Sequence, residues 1–260
     1  MKNILIIGHG VVGKNIRKEL DNESFAFHIV DKHKNITCEK MKYDFGFVCV
    51  DTPLKDGELD ITEVQNAIQE NDCEIYVIKS TCPVGTVDRL KEKFHKRIVF
   101  SPEYYGATKH CNNFEFDFTI LGGDKKDCIE VVQMMQKVYD GRHQFRITDA
   151  KTAEMTKFME NSWLATKVSF CNSFYDACEK AGIAYEEVRE LFVLDPRVNP
   201  SHTFVYKETP YWDSHCLNKD VPAIAEQYDM TFLKDMIEFN EKSKSEMKQD
   251  VLKNQYSKCE

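Results

Sequence analysis

Apolar positions along the first 147 residues come in short runs, each closed by polar or turn residues. "KNILII" (residues 2–7) ends on "GHGVVG" (8–13), and a helical periodicity follows through Leu20. "FAFHIVD" closes on Asp31, and the series continues with "FGFVCVDTP" (45–53), "EIYVIKST" (74–81), "RIVFSPE" (97–103) and "DFTILGG" (117–123). Helical patterns such as "DITEVQNAIQEN" (60–71) fall between several of them. Unbroken apolar runs suit buried strands, and strands alternating with helices predict a parallel, doubly wound α/β sheet.

Strand signals stop near Ile147. Residues 150–181 then read as one long helix, with Gly182 placed to end it in the left-handed conformation. At 1.5 Å per residue such a helix is roughly 48 Å long. Shorter helices are predicted over 185–194 and 221–240, and the charged tail beyond reads as a surface helix or a frayed end. The expected architecture is a Rossmann-like domain over residues 1–148, followed by an α-helical domain over 149–260 built on the long helix.

Composition narrows the function classes. With 42% hydrophobic and 30% charged residues, the 260-residue chain has the make-up of an ordinary soluble protein. A formal net charge of −8 argues against nucleic acid or an anionic membrane as the main partner. No apolar run reaches the length of a bilayer span, so neither a signal peptide nor a membrane anchor is expected. The 10 cysteines are scattered, without CxxC or other metal-ligand spacing. Reduced thiols in the cytoplasm and no metal site are the expectation.

The strongest motif is the first turn. Gly8, Gly10 and Gly13 lie between a strand and a helix, and Asp31 ends the next strand 18 residues beyond Gly13. That context is what a dinucleotide fingerprint requires, because the glycines let a pyrophosphate approach the helix N-terminus. Asp31 can accept hydrogen bonds from ribose hydroxyls, and its charge disfavours a 2′-phosphate. NAD is therefore favoured over NADP, with Lys32, His33 and Lys34 as the cations that would argue for the phosphate. A flavin or mononucleotide site, or a vestigial fold, is the competing reading of the same turn.

Three more strand ends carry polar groups: "CVDTP" (49–53), "STCPVGT" (80–86) and "SPEYYGAT" (101–108). Ligands bind at the carboxyl ends of such strands, so these segments should meet the nicotinamide, with Thr81 and Glu103 as candidates for positioning water or relaying a proton. Ordinary turn chemistry explains the same residue types. On the long helix Lys157 and Asn161 share a face, with Glu154 one turn before, in an element otherwise rich in Phe158, Trp163, Phe170 and Phe174. A solvated polar face is the simpler explanation; burial would require partners for both. Cys216, in "YWDSHCLNKD", has Lys219 and Asp220 just behind it. Asp220 and Pro222 could open a helix there, which would favour the thiolate.

"GHGVVG", "STCPVGT", "SPEYYGAT", "AEMTKFMENSWLATKVSFCNSFYDAC", "LDPRVNPSH" and "HCLNKD" together resemble the successive motifs of the UDP-glucose/GDP-mannose dehydrogenase family, in that family's order. The similarity runs from residue 2 to about residue 240. It implies two NAD-dependent oxidations at C6 of a nucleotide sugar, UDP-glucose to UDP-glucuronate by default. Cys216 matches the family's nucleophile, which forms a thiohemiacetal and then a thioester. Lys157 and Asn161 match the residues that stabilise oxyanions, and Asp220 the aspartate that assists water or proton transfer. Thr81 and Glu103 match residues of the hydrolytic step, and Arg197 an arginine that reaches the neighbouring subunit's substrate. The resemblance places Gly8, Gly10, Val11, Val12, Gly13, Asp31, Thr52, Pro53 and Thr81 on NAD. It places Glu103, Tyr104, Lys157, Asn161 and Arg197 on the sugar nucleotide, and implies a homodimer through the long helix.

The chain also departs from the pattern. "KETPYWDS" (207–214) stands where the family is glycine-rich, Ala107 stands where a second glutamate is common, and no residues match the family's C-terminal nucleotide-binding domain. A non-catalytic NAD-binding module, a partner of a complete dehydrogenase and a single-step alcohol dehydrogenase are the alternative functions.

Overall fold

The computed structural model describes residues 1–105 and 116–256, the last nine of these as backbone only. The strands are β1 (Lys2–Ile7), β2 (Phe25–Val30), β3 (Lys42–Val48), β4 (Leu54–Lys55), β5 (Glu58–Leu59), β6 (Asp72–Ile78), β7 (Arg97–Phe100), β8 (Phe118–Gly122) and β9 (Gln144–Thr148). The helices are α1 (Val11–Glu19), α2 (Thr62–Glu70), α3 (Thr86–Phe94), α4 (Lys125–Met135), α5 (Ala150–Ala181), α6 (Tyr185–Phe192), α7 (Leu217–Gln227) and α8 (Thr231–Tyr256). The chain divides into two compact units, Met1–Lys157 and Phe158–Glu260, and α5 runs from the first into the second. That division falls inside the helix expected to open the second domain at residue 149.

The first unit is built on a seven-stranded sheet in the order β2-β1-β3-β6-β7-β8-β9. Apolar side chains fill both faces in strict alternation: Leu5 and Ile7 of β1 face the layer of α2 and α3, and Ile4 and Ile6 face that of α1 and α4. Tyr76 and Ile78 against Ile75 and Val77 repeat the pattern on β6. Fully burying one such side chain is worth about 1.5–3 kcal/mol, which is why these continuous runs specify central strands. The chain order reverses on either side of β1, which opens the crevice where doubly wound sheets bind ligands.

The sheet is parallel except at one place. β8 pairs antiparallel to β7 through Phe100 and Gly122, a departure from the all-parallel expectation. A parallel return would need a crossover that carries the chain back across the sheet, whereas β8 starts at the end where β7 stops. Leu54–Lys55 and Glu58–Leu59 form a small hairpin around Asp56 and Gly57, both at positive φ. The sequence pattern leaves this hairpin out, although Asp-Gly is a strong signal for such a turn.

The second unit is helical. Gly182 ends α5 at φ +70°, with Ile183 N–H bonded to Cys178 O and Gly182 N–H to Glu179 O, a Schellman cap at the expected place. The helix expected over 221–240 is instead two. Asp229 takes φ +49°, and Met230 N–H returns to Ala225 O, so a second Schellman cap closes α7 before α8 begins. Among the described residues no helix is long and apolar enough to cross a membrane.

Candidate active site

In the first unit, β1 delivers Gly8 at φ +89°, where a Cβ would lie 2.6 Å from Cys49 O. A Cβ on Gly13 would lie 2.0 Å from Gly8 O, so only glycine lets α1 pack this closely on the turn. At Gly10 a Cβ would meet nothing within 4 Å. The open space over Gly10 faces the start of α1, where Val11 is exposed and no side chain caps the helix. Orphan backbone N–H groups and the helix dipole make such a place favourable for a phosphate.

Asp31 follows β2 and is 7% exposed. Its Oδ2 accepts the His9 N–H at 2.8 Å and its Oδ1 the Lys34 N–H at 3.0 Å, which ties the second strand end to the glycine turn. Burial pushes its pKa up, but these N–H groups, with the Lys34 charge and the His33 N–H, together outweigh burial and leave it below the usual carboxylate range. Lys34 Nζ donates to His9 O beside it. A space that only glycine leaves open, a bare helix start and an ionised carboxylate together fit the pyrophosphate and a ribose of NAD.

The later strand ends of this unit are cross-linked. Thr52, 1% exposed, donates from Oγ1 to Thr81 O at 2.8 Å, and Ser80 Oγ donates to Val50 O at 2.6 Å. Pro53 is exposed, and its carbonyl accepts Asp60 N–H. Glu103 Oε2 accepts Tyr105 N–H at 2.7 Å. The Tyr104 ring packs on Phe118 at 5.3 Å and faces the Lys157 ammonium at 4.8 Å. Lys157 is 6% exposed, so a solvated face does not describe it. Glu154 is fully buried and caps α3, accepting Gly85 N–H at 2.5 Å and Val87 N–H at 2.9 Å. Ala107 lies outside the described residues.

In the second unit Cys216 is half-buried and occupies the residue before the first turn of α7. Ser214 Oγ accepts Leu217 N–H at 3.1 Å, which starts the helix one turn earlier than Asp220 and Pro222 suggest. Cys216 O accepts Asp220 N–H at 2.9 Å. The Asp220 carboxylate is buried, with Oδ2 accepting Asn161 Nδ2 at 2.6 Å and Oδ1 the Lys219 ammonium at 2.7 Å. Arg197 is exposed and holds Asp195 through a two-pronged contact with Nε at 3.0 Å and an Nη at 2.5 Å.

Some supporting residues escape a reading of motifs. Trp212 is 4% exposed, bonded through its backbone to the Asn240 side chain and through Nε1 to Ser169 Oγ at 3.0 Å. The cue was its indole N–H, which needs a partner once buried. Lys79, at the end of β6, is another: a lysine after an unbroken apolar strand is a candidate for burial.

A doubly wound sheet with this glycine turn and carboxylate defines the NAD-binding, Rossmann-fold oxidoreductases. The sequence matches the "UDP-glucose/GDP-mannose dehydrogenase family, NAD binding domain" over residues 29–142 and the same family's central domain over residues 151–242. The chain belongs to the UDP-glucose/GDP-mannose dehydrogenase family. It is 28% identical to UDP-glucose 6-dehydrogenase of Rickettsia prowazekii (strain Madrid E), over 95% of this chain and 59% of that protein. It is 27% identical to UDP-N-acetyl-D-mannosamine dehydrogenase of Methanococcus maripaludis (strain C7), over 76% of this chain and 48% of that one. The chain thus spans about half to three fifths of the length of these curated relatives. In fold it is similar to a UDP-glucose dehydrogenase from Pyrobaculum islandicum, with a TM-score of 0.78 and 19% identity, covering 93% of this chain and 68% of that structure.

Proposed function

We propose that the protein oxidises the C6 hydroxyl of a nucleotide sugar to a carboxylate in two NAD-dependent steps, with UDP-glucose as the default substrate and UDP-glucuronate as the product. The observation that carries this reading is Cys216 at the start of α7, one helical turn from an Asp220 carboxylate held by Asn161 and Lys219. An aldehyde has no hydroxyl to oxidise until a nucleophile adds to it, and a thiol at a helix N-terminus is suited to that addition.

Gly8, Gly10, Val11, Val12, Gly13 and Asp31 hold the dinucleotide, with Thr52, Pro53 and Thr81 toward its nicotinamide end. NAD, when bound, supplies the hydride acceptor for both oxidations. Cys216 Sγ forms a bond to the aldehyde carbon, and the carbonyl oxygen takes up a proton to give a thiohemiacetal. Oxidation of that carbon, with loss of the hydroxyl proton, leaves a thioester on Cys216. Water then breaks the S–C bond, returns a proton to sulfur and releases the acid. Lys157 and Asn161 stabilise the oxyanions, Asp220 assists proton transfer, and Glu103 and Thr81 serve hydrolysis. Tyr104 and Glu103 contact the sugar nucleotide, and Arg197 reaches the substrate of a second subunit.

Two observations support the cellular and oligomeric parts of this reading. None of the eight cysteines among the described residues is in a disulfide, as a cytoplasmic protein keeps its thiols. Met159, Trp163, Phe170 and Phe174 are 49–75% exposed on one helix, an apolar stripe that a homodimer through α5 would cover.

The test is purified protein with NAD and a panel of UDP- and GDP-sugars, following NADH. Two NADH per sugar is the expected stoichiometry, and Cys216→Ala should abolish acid formation. One NADH per sugar would indicate a simple alcohol oxidation. Uronate produced by Cys216→Ala at the parental rate would overturn the thioester route.

A further inference from the structure

Lys79 follows the last residue of β6 and is 6% exposed, yet the mechanism above does not use it. Its Nζ donates to Ser101 Oγ at 3.1 Å and to Pro102 O at 3.3 Å. Both acceptors lie just after β7, in the two residues before Glu103, and Ser101 is fully buried. On the other side Lys79 opens the segment whose Ser80 and Thr81 are bonded to Val50 and Thr52. One ammonium therefore ties the strand end that carries Thr81 to the strand end that carries Glu103.

A buried ammonium costs stability that an apolar side chain of similar length would not. Burial lowers its pKa, Glu19 of α1, Glu103 and Cys49 act in the opposite direction, and Lys157 of α5 adds to the lowering. Packing alone does not account for a lysine here. A requirement to fix the backbone before Glu103 does.

We propose that Lys79 is a positioning residue for the hydrolytic half of the reaction, holding the Ser101–Pro102 backbone so that Glu103 is set to activate the water that cleaves the thioester. This rests on the reading in the preceding subsection. The prediction is selective: both oxidations precede hydrolysis, so they should survive loss of the ammonium while release of the acid does not.

The experiment is rapid mixing of enzyme with NAD and the best UDP-sugar, with acid-quenched intact-mass measurement of the protein. Lys79→Met should give a burst of two NADH per site and then steady turnover about tenfold to a hundredfold slower, the size of effect expected for a lost bond to a charged group. The sugar should accumulate as a thioester on Cys216, with kcat and the KM for the sugar falling together so that kcat/KM changes less than about twofold, while Lys79→Arg should restore part of the rate. Ser101→Ala keeps the ammonium but removes one acceptor, and should show the same burst with a smaller slowing. It provides the same readout should Lys79→Met fail to fold. Slowed turnover without a burst or thioester in these variants, or parental turnover in both, overturns the role of Lys79. Wild-type protein that forms no NADH with any nucleotide sugar overturns the dehydrogenase reading itself, and this proposal with it.

Discussion

Asn161 on α5 donates from Nδ2 to Oδ2 of Asp220 on α7 across 2.6 Å, and both residues are buried. Hydrogen bonds to charged groups contribute about 1.5–3 kcal/mol, and removing the donor leaves a buried carboxylate under-satisfied. Asn161→Ala should therefore destabilise the helical unit by about 2 kcal/mol, read as a lower urea midpoint. Asn161→Asp places a second carboxylate at that contact. Like charges at that contact should make it more destabilising than Asn161→Ala. Midpoints unchanged in both variants would mean that the contact does not hold α5 to α7.

Glu154 gives a pH dependence opposite to that of most carboxylates. Burial is the largest influence on it and raises its pKa from 4.5 to about 7, against the two N–H groups of Gly85 and Val87. Its folded state therefore holds its proton more tightly than the unfolded state. The stability it contributes is fully present below about pH 4.5 and is lost as pH rises through about 7. Glu154→Gln should flatten this part of the profile between pH 5 and 8. It should also cost about 1–3 kcal/mol, because the glutamine NH₂ faces one of the two N–H donors. Parallel pH profiles for wild type and variant would show that Glu154 does not titrate there.

The parts of the fold legible in the sequence are those set by local pattern. β1 and β6 are buried on both faces, so their unbroken apolar runs identify them, and Gly182 ends α5 because it takes φ +70° at low cost. The glycine turn is legible for the same reason: Gly8 and Gly13 stand where a Cβ would strike backbone. What escapes is set by distant partners. Trp212 is pinned by Asn240 and Ser169, 28 and 43 residues away, and neither spacing marks a motif. Lys79 is visible as a residue, but its partners on the next strand end follow only from the sheet order. The antiparallel pairing of β8 likewise depends on where β7 ends.

Two glycines of the turn separate folding from cofactor binding. A Cβ on Gly13 meets Gly8 O at 2.0 Å, so Gly13→Ala must displace α1 from β1. Loss of stability of about 1–3 kcal/mol and of NAD affinity together is expected. A Cβ on Gly10 meets nothing within 4 Å and the residue has φ −77°, so Gly10→Ala should leave the urea midpoint unchanged. Its methyl would project into the space needed by the pyrophosphate, and NAD affinity should fall about tenfold or more. Unaltered NAD binding by Gly10→Ala, measured by titration, would place the dinucleotide elsewhere.

The thiols should differ sharply in reactivity. Burial is the largest influence on Cys49 and Cys73, raising both to about 12, and on Cys128, which rises to about 11. At pH 8 a thiol of pKa 12 is ionised to about one part in ten thousand, and only the thiolate attacks an alkylating agent. Cys216 is half-buried at the start of α7, where the positive end of the helix dipole favours negative charge. Brief treatment with iodoacetamide at pH 8, mapped by peptide mass, should label Cys216 at least about a hundredfold faster than Cys49 or Cys73. The bias should persist in Lys79→Met, since Lys79 acts after the thiol has reacted. Labelling of Cys49 at the rate of Cys216 would remove the argument that Cys216 is the chain's nucleophile.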